Sequence, residues 1–393
     1  MTRYIIIGGG IAGASIAYHL GQRTDKEVVL FERQSTASET TYKSVAQYGF
    51  YGDQTQYRMK QYGMRLYNEF FADQMGNPRY QYAGLLIAAT DQSNADQLKA
   101  VVETEGRESV GKIGEGFERD LLEYIPGSEL KETLLLPPVK TEHINGALYR
   151  PKVGYMSRPH ELAYEFLQRA RKHGVTVREG TPVTEILTRN ERVTGVVTEN
   201  GTLESEEVIC AAGPWNVEIA ESVGVDIPVR HTLAPVLQLQ PNAPVEYDLP
   251  VLSHYESPYT FHRRSAEELL VGYNPKPGYE GASQLDPDTT DEEVPPDIRN
   301  EGIDLLSRFV PSWMDADIVD EWVGVRSQTP DGNPVVGWTE LEGFSIAAFH
   351  TSGIQLSPAV GKMIATQILD REPGEYYADL SISRFDGYDD HYR

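Results

Sequence analysis

The sequence predicts an α/β fold, α+β overall: a Rossmann-like dinucleotide-binding domain with an inserted antiparallel β-rich domain. Three observations predict it. The chain opens on a strand, a glycine triplet, a helix and a second strand that ends in an acid. Its middle is dominated by short β-rich runs separated by turn signals. Near the C-terminus, "GFSIAAFHTSGIQLSPAVGKMIATQIL" repeats the order of strand, glycine and helix.

The first unit justifies itself residue by residue. Tyr4 to Ile7 is an apolar, partly β-branched run, as expected of a strand buried in a parallel sheet. Gly8, Gly10 and Gly13 give the spacing G-x-G-x-x-G. Gly8 can take the positive φ of a tight turn. Gly10 leaves room for a pyrophosphate at the backbone, and Gly13 lets the next helix approach the strand. That helix is expected over Ile11 to Gly21, with Ile16, Ala17 and Leu20 as its buried stripe. Its N-terminal N–H groups and dipole suit a phosphate. A second strand, Val28 to Phe31, delivers Glu32 where an acid can accept hydrogen bonds from a ribose diol. The triplet alone is equally a glycine-rich turn; strand, helix and terminal acid together indicate a dinucleotide, without separating NAD from FAD.

Further along, "MSRPHELAYEFLQRARKHGV" has helical periodicity, with Leu162, Phe166, Leu167 and Ala170 on one face and Gly174 as its stop. Residues 176–206 read as a three-stranded meander with turns at "NER" and "NG". A buried strand follows, Glu207 to Ala212, ending at Gly213. The region from Val229 to Val271 is again strand-rich. Gln284 to Gly302 is acidic and proline-rich, and reads as a solvated loop leading into a helix near Ile298 to Phe309. The C-terminal unit predicts a strand, a glycine turn at Gly353 and a helix from about Pro358. The expected division is 1–82, 145–228 and 326–393 for the nucleotide domain, and 83–144 and 229–325 for the inserted one.

Composition bounds the partners. The 393 residues suffice for two domains. Acidic residues number 59 against 35 basic, a net charge of −24, and arginine outnumbers lysine more than two to one. Such a surface repels nucleic acid and anionic membranes. It suits a cytoplasmic protein of a high-salt organism, or an ordinary acidic bacterial enzyme. The single cysteine, Cys210, excludes an internal disulfide, in line with a reducing compartment. It lies in the apolar run "VICAAG", as an inert buried thiol would. The N-terminus enters the first strand directly, which leaves no room for a signal peptide. No apolar stretch is long enough to predict a membrane span. Nothing in the pattern calls for a metal.

Four stretches together resemble the FAD-dependent oxidoreductases of the D-amino-acid oxidase type, which include glycine oxidase, sarcosine oxidase and D-amino-acid dehydrogenases. They are "IIIGGGIAGASIAYHLG…VVLFER", "TTYKSVAQYG", "VICAAGPW", and "WVGVRSQTPDGNPVVG" leading to "HTSGIQLSPAVGK". The resemblance runs through nearly the whole chain. It implies that Gly8, Gly10, Ile11, Ala12 and Gly13 hold the FAD pyrophosphate, and that Glu32 and Arg33 meet its adenosine half. Lys43, Ser44, Ala46 and Gln47 would pass the phosphate and flavin, although most members carry Arg where Lys43 stands. Val183 would meet adenine through its backbone. Ala212, Gly213 and Trp215 would border the pyrophosphate. Gly353, Ile354 and Gln355 would face the flavin ring, with the next helix aimed at its electron-rich edge.

Arg326 is the expected carboxylate anchor, since a guanidinium fork matches a carboxylate bidentately; an ion pair with one of the many acids is the plain alternative. Gln47, Tyr48 and Tyr51 lie in the segment passing the flavin. Tyr259 and His262 are expected on the wall of the substrate pocket, and His350 before the flavin-facing turn, where each is equally a packing residue. Three departures matter. Gly324 stands about where sarcosine oxidases attach FAD to cysteine, and Lys43 where related dehydrogenases use histidine, so the resemblance implies noncovalent FAD. Leu270 replaces a lysine used in oxygen activation, and Gln355 a carboxylate-binding lysine. The implied reaction is oxidation of a small carboxylate-bearing amine (a D-amino acid, glycine or an N-methyl amino acid) at the C–N bond, with O2 or another acceptor receiving the electrons. Dehydrogenase is favoured over oxidase. The alternatives are a 2-hydroxy-acid dehydrogenase on the same anchor, and a flavin-bearing electron-transfer subunit of a complex. A homo-oligomer fits either.

Overall fold

The computed structural model describes residues 3–50, 52–72, 80–112, 122–134, 139–275, 278–289 and 293–386. Two sheets organise it. The first has six strands, in the order Val335–Trp338, Phe344–Ala348, Glu207–Cys210, Arg3–Ile7, Glu27–Phe31 and Thr176–Arg178. All neighbours are parallel except the edge pair Val335–Trp338 and Phe344–Ala348. Successive side chains of a strand point to opposite faces. Tyr4 and Ile6 therefore meet one hydrophobic core, built with the helices Ile11–Gly21, Pro159–Lys172 and Gly353–Asp370. Ile5 and Ile7 meet the other, built with the meander Val183–Glu204 and the helix Asn216–Glu221.

The helices on the first face pack at glycines. A Cβ at Gly13 would collide with the Gly8 carbonyl, and one at Gly361 with Ser15. One at Gly63, in the helix Gln54–Phe70, would collide with the carbonyl of Gln355. The Gly353–Asp370 helix starts five residues before the expected Pro358, which sits inside it. Proline has no N–H to give the carbonyl four residues back. That carbonyl, of Ile354, accepts instead from the Tyr67 hydroxyl at 2.6 Å and from Ser357 Oγ at 3.0 Å. Missing this substitute hydrogen bond is why the sequence alone places the helix start too late. The turn also differs. The left-handed residue is Ser352, at φ +57°, while a Cβ at Gly353 would sit tight against the Phe349 ring, at 3.0 Å.

The second sheet has eight strands: Asp317–Gln328, Arg230–Gln240, Glu268–Tyr273, Tyr259–Ser265, Val251–His254, Leu85–Ala89, Gly146–Arg150 and Glu123–Pro126. It is antiparallel as expected, save one parallel pair, Val251–His254 beside Leu85–Ala89. One face packs on a core that includes Leu306 and Phe309 of the helix Pro296–Phe309. Two expected segment limits shift with it. Gly146–Arg150 belongs to this sheet, not to the nucleotide side, and Asp317–Gln328 continues past 325 as one strand. Pairing sets both limits and is invisible locally: Gly146–Arg150 lies between Leu85–Ala89 and Glu123–Pro126, and Asp317–Gln328 runs along Arg230–Gln240. Among the described residues, no helix is long and apolar enough to cross a membrane.

Candidate cofactor and substrate cleft

A cleft of about 1670 Å³ runs between the strand ends of the six-stranded sheet and one face of the eight-stranded sheet. Its nucleotide end is built as a cradle. Gly8 turns at φ +106°, and a Cβ there would sit 2.5 Å from the Ala211 carbonyl oxygen. Ile7, Gly8, Gly10, Ile11 and Ala12 line this end, while Gly13 lies behind it, pressed on Gly8. The Thr41 hydroxyl accepts from the Ile11 N–H at 3.0 Å, which fixes the loop to the helix start. Glu32 accepts from the N–H groups of Gly9 and Gln34, each at 2.8 Å, and lines the cleft. Val183, Ala212, Gly213 and Trp215 close the same end.

Asn216 shapes that border. Its Oδ1 accepts from the Ala212 N–H at 2.7 Å and from Cys210 Sγ at 3.1 Å; its Nδ2 donates to the Ala347 carbonyl at 3.0 Å. Burial pushes the Cys210 thiol up to about 12. This cysteine is fully enclosed and does not line the cleft.

The middle of the cleft is walled by Lys43, Ser44, Val45, Ala46 and Gln47 on one side and by Gly353 and Ile354 on the other. Lys43 Nζ pairs with Glu39 at 3.1 Å. Ala46 adopts the left-handed region, at φ +51°, uncommon for a residue with a Cβ. Tyr48 is buried beside this segment, and Tyr51 lies outside the described residues. Gln355 does not line the cleft: it is enclosed, and its Oε1 accepts from the Gly49 N–H at 3.2 Å. Its position as the third residue of a helix turns it away from Gly353 and towards the neighbouring segment.

Strand register decides which side chains reach the substrate end. Directly paired residues point to the same face. The pairs Arg326–Thr232, Gly324–Ala234, Val236–Gly272, Gly272–Thr260, Thr260–Ser253 and Ile87–Leu148 trace one face, and all of these residues except Thr232 line the cleft. Tyr259 is one residue off that register. It therefore points to the other face, where its hydroxyl donates to the Ile298 carbonyl at 2.7 Å. The expected pocket wall is thus Thr260 and not Tyr259. His262 shares the face of Thr260 but lies beneath Tyr155, stacked at 5.6 Å, and does not line the cleft. Burial, with Arg264 nearby, lowers His262 to about 3.

Arg326 projects from this face into the cleft. Its guanidinium donates to Asn274 Oδ1, to the Pro275 carbonyl at 2.6 Å and to Thr232 Oγ1 at 3.4 Å. All three acceptors are neutral, and its buried Nε has no partner among the described residues. Burial lowers its pKa from the ordinary value, yet an arginine remains charged. His350 lines the cleft near it. The Thr329 N–H donates to His350 Nδ1 at 2.9 Å. A backbone N–H can only donate, so Nδ1 is unprotonated and the ring proton sits on Nε2. Burial first, then the Arg326 charge, lower His350 to about 4. It is a neutral donor, not a cation. Asn216, Asn274 and Thr329 escape sequence reasoning because no motif marks a side chain that braces another.

The DAO family, described as FAD dependent oxidoreductase, matches residues 3–367. The 4-methylaminobutanoate oxidase (formaldehyde-forming) of Paenarthrobacter nicotinovorans is 27% identical over 98% of this chain and 46% of its own length, so the chain spans less than half of that relative. The glycine oxidase of Geobacillus kaustophilus is 26% identical, with 97% of each chain covered. In fold, L-proline dehydrogenase from P. horikoshii superposes with a TM-score of 0.81 over 98% of both chains, at 22% identity.

Proposed function

The chain belongs to the DAO family of FAD dependent oxidoreductases, and on that premise we propose that it oxidises a small carboxylate-bearing amine at the C–N bond. FAD, when bound, accepts the two electrons, and the imine left behind is hydrolysed to a carbonyl compound and an amine. The Gly8–Ala12 turn and Glu32 would hold the nucleotide half, with Lys43–Gln47 and Gly353–Ile354 around the ring. Gly8 and Gly13 let the turn close on Ala211 and on itself, which keeps the helix start at the cleft.

The observation that carries this reading is Arg326: a buried guanidinium lining the cleft and held, among the described residues, by neutral oxygens alone. Its charge remains to be met by an anion. A substrate carboxylate supplies one, and bidentate pairing fixes its orientation. His350 Nε2 offers a second, neutral donor beside it. The relatives' names favour amino and N-methylamino acids over 2-hydroxy acids.

Noncovalent FAD is supported by the enclosure of Cys210 and by the Lys43–Glu39 pair, which leave no thiol or imidazole at the two attachment positions. Leu270, fully buried on the cleft-facing side, puts no cation there and favours a dehydrogenase over an oxidase. The acidic composition fits a cytoplasm of high salt. Anaerobic mixing with glycine, sarcosine, D- and L-amino acids and 2-hydroxy acids tests the reading by bleaching of flavin absorbance. Bleaching by hydroxy acids alone would shift the substrate class; bleaching by none, in a chain that binds FAD, would leave the electron-transfer subunit.

A further inference from the structure

Arg33 and Trp215 stand together at the nucleotide end of the cleft, the guanidinium 4.2 Å above the indole ring. Neither position explains how they stay there, since both side chains are part-exposed and the guanidinium leads a long flexible stem. The third member comes from the other side of the cleft. The acidic segment that follows the strand Glu268–Tyr273, which reads in sequence as a plain solvated loop, is anchored by paired backbone hydrogen bonds between His231 and Ser283 at 2.7 and 3.1 Å. It then carries Asp288 across to the nucleotide side. Asp288 Oδ2 accepts from Arg33 Nη1 at 3.0 Å, and Oδ1 accepts from Arg33 Nη2 at 2.7 Å and from Trp215 Nε1 at 3.0 Å. One carboxylate thus fixes both partners of the stack.

We propose that Asp288 is a positioning residue for the adenosine half of the cofactor. It acts through Arg33 and Trp215, and it lets the inserted domain's chain retain a nucleotide held by the other domain. The placement carries the argument. Arg33 follows Glu32, Trp215 follows the Ala212–Gly213 border, and all line the cleft end remote from Gly353 and Ile354. A two-pronged pair that also binds an indole N–H is geometrically demanding, so it orders a guanidinium where a single exposed ion pair would not. The Arg33 and Asp288 side chains are 35% and 50% exposed, so salt should weaken the clasp.

The proposal rests on the reading that FAD fills this cleft, and the test separates the two. Apoprotein of wild type, Asp288→Ala and Asp288→Glu is titrated with FAD, with FMN, which lacks adenosine, and with ADP, which lacks flavin. FAD release from the holoprotein is followed by flavin fluorescence at low and molar KCl. Asp288→Ala should weaken FAD and ADP about tenfold, leave FMN unchanged, release FAD faster, and lose much of the salt dependence of release. Asp288→Glu should restore part of the affinity. Unchanged FAD affinity in the alanine variant, or equal weakening of FAD and FMN, would overturn the proposal. Failure of wild type to bind FAD at all would overturn the cofactor reading instead.

Discussion

Asn274 braces Arg326 without neutralising it, as the proposed carboxylate anchor requires. A guanidinium braced by an amide oxygen keeps its full charge, whereas one braced by a carboxylate is neutralised. Replacing Arg326 by Ala should lower kcat/KM for anaerobic flavin reduction by about 10²–10³, the cost of a lost buried charge pair. FAD content should stay near wild type. Arg326→Lys should recover only part, because an ammonium lacks the fork. Asn274→Asp tests the neutral brace itself. It keeps the shape but supplies a built-in anion, so KM for a carboxylate substrate should rise about tenfold or more, roughly 1.4 kcal/mol. An unchanged KM in that variant would mean that the Arg326 charge is not what the substrate meets.

The crossing of the helices Gln54–Phe70 and Gly353–Asp370 sets the cleft wall at which we propose the flavin lies. It depends on Gly63, whose missing Cβ lets the Gln355 carbonyl approach, and on the Tyr67 hydroxyl that serves the Ile354 carbonyl left free by Pro358. Gly63→Ala should force the helices apart and lower stability by about 1–3 kcal/mol, read from a urea midpoint. Because Ile354 lines the cleft, flavin affinity should fall with it. A variant as stable as wild type would show that the crossing relaxes without strain. Of these features, the C-terminal helix was legible in the sequence, though not its start at Gly353. The Gly63 contact was not, because it joins residues almost 300 positions apart.

For the whole molecule, charge and buried histidines make opposite demands on conditions. With 59 acids against 35 bases, the folded chain repels itself. Salt shortens the range of that repulsion from about 10 Å at 0.1 M to about 3 Å at 1 M. The melting temperature should therefore be higher in molar KCl than in dilute buffer; no rise between the two would argue for an ordinary acidic enzyme. The histidines govern acid stability. Burial above all lowers His19 and His262 to about 3, and His231 and His350 to about 4, from 6.5. Below pH 6.5 the unfolded chain binds protons that the folded chain refuses, so stability rises with pH across this window and is lost as pH falls from 6.5 towards 4. Each group contributes a slope of about 1.4 kcal/mol per pH unit there. Urea midpoints at pH 7, 6, 5 and 4.5 should decline progressively; a flat series would mean that these rings protonate inside the fold.

The sequence by itself determined the nucleotide unit. Its strand, glycine turn, helix and acid lie within about thirty residues, and each is set by local backbone freedom and hydrophobic period. It also singled out Arg326, because that arginine sits in a distinctive stretch. What only the tertiary structure decided was orientation and support. A shift of one residue in strand register exchanges Tyr259 for Thr260 at the cleft, and periodicity cannot say which face of a strand buried on both sides looks inward. Gln355, two residues after Gly353, turns to Gly49. Asn274, Asn216 and Asp288 acquire their roles from partners distant in the chain, brought within hydrogen-bond distance by strand order inside each sheet for the two asparagines and by the approach of one sheet to the other for Asp288.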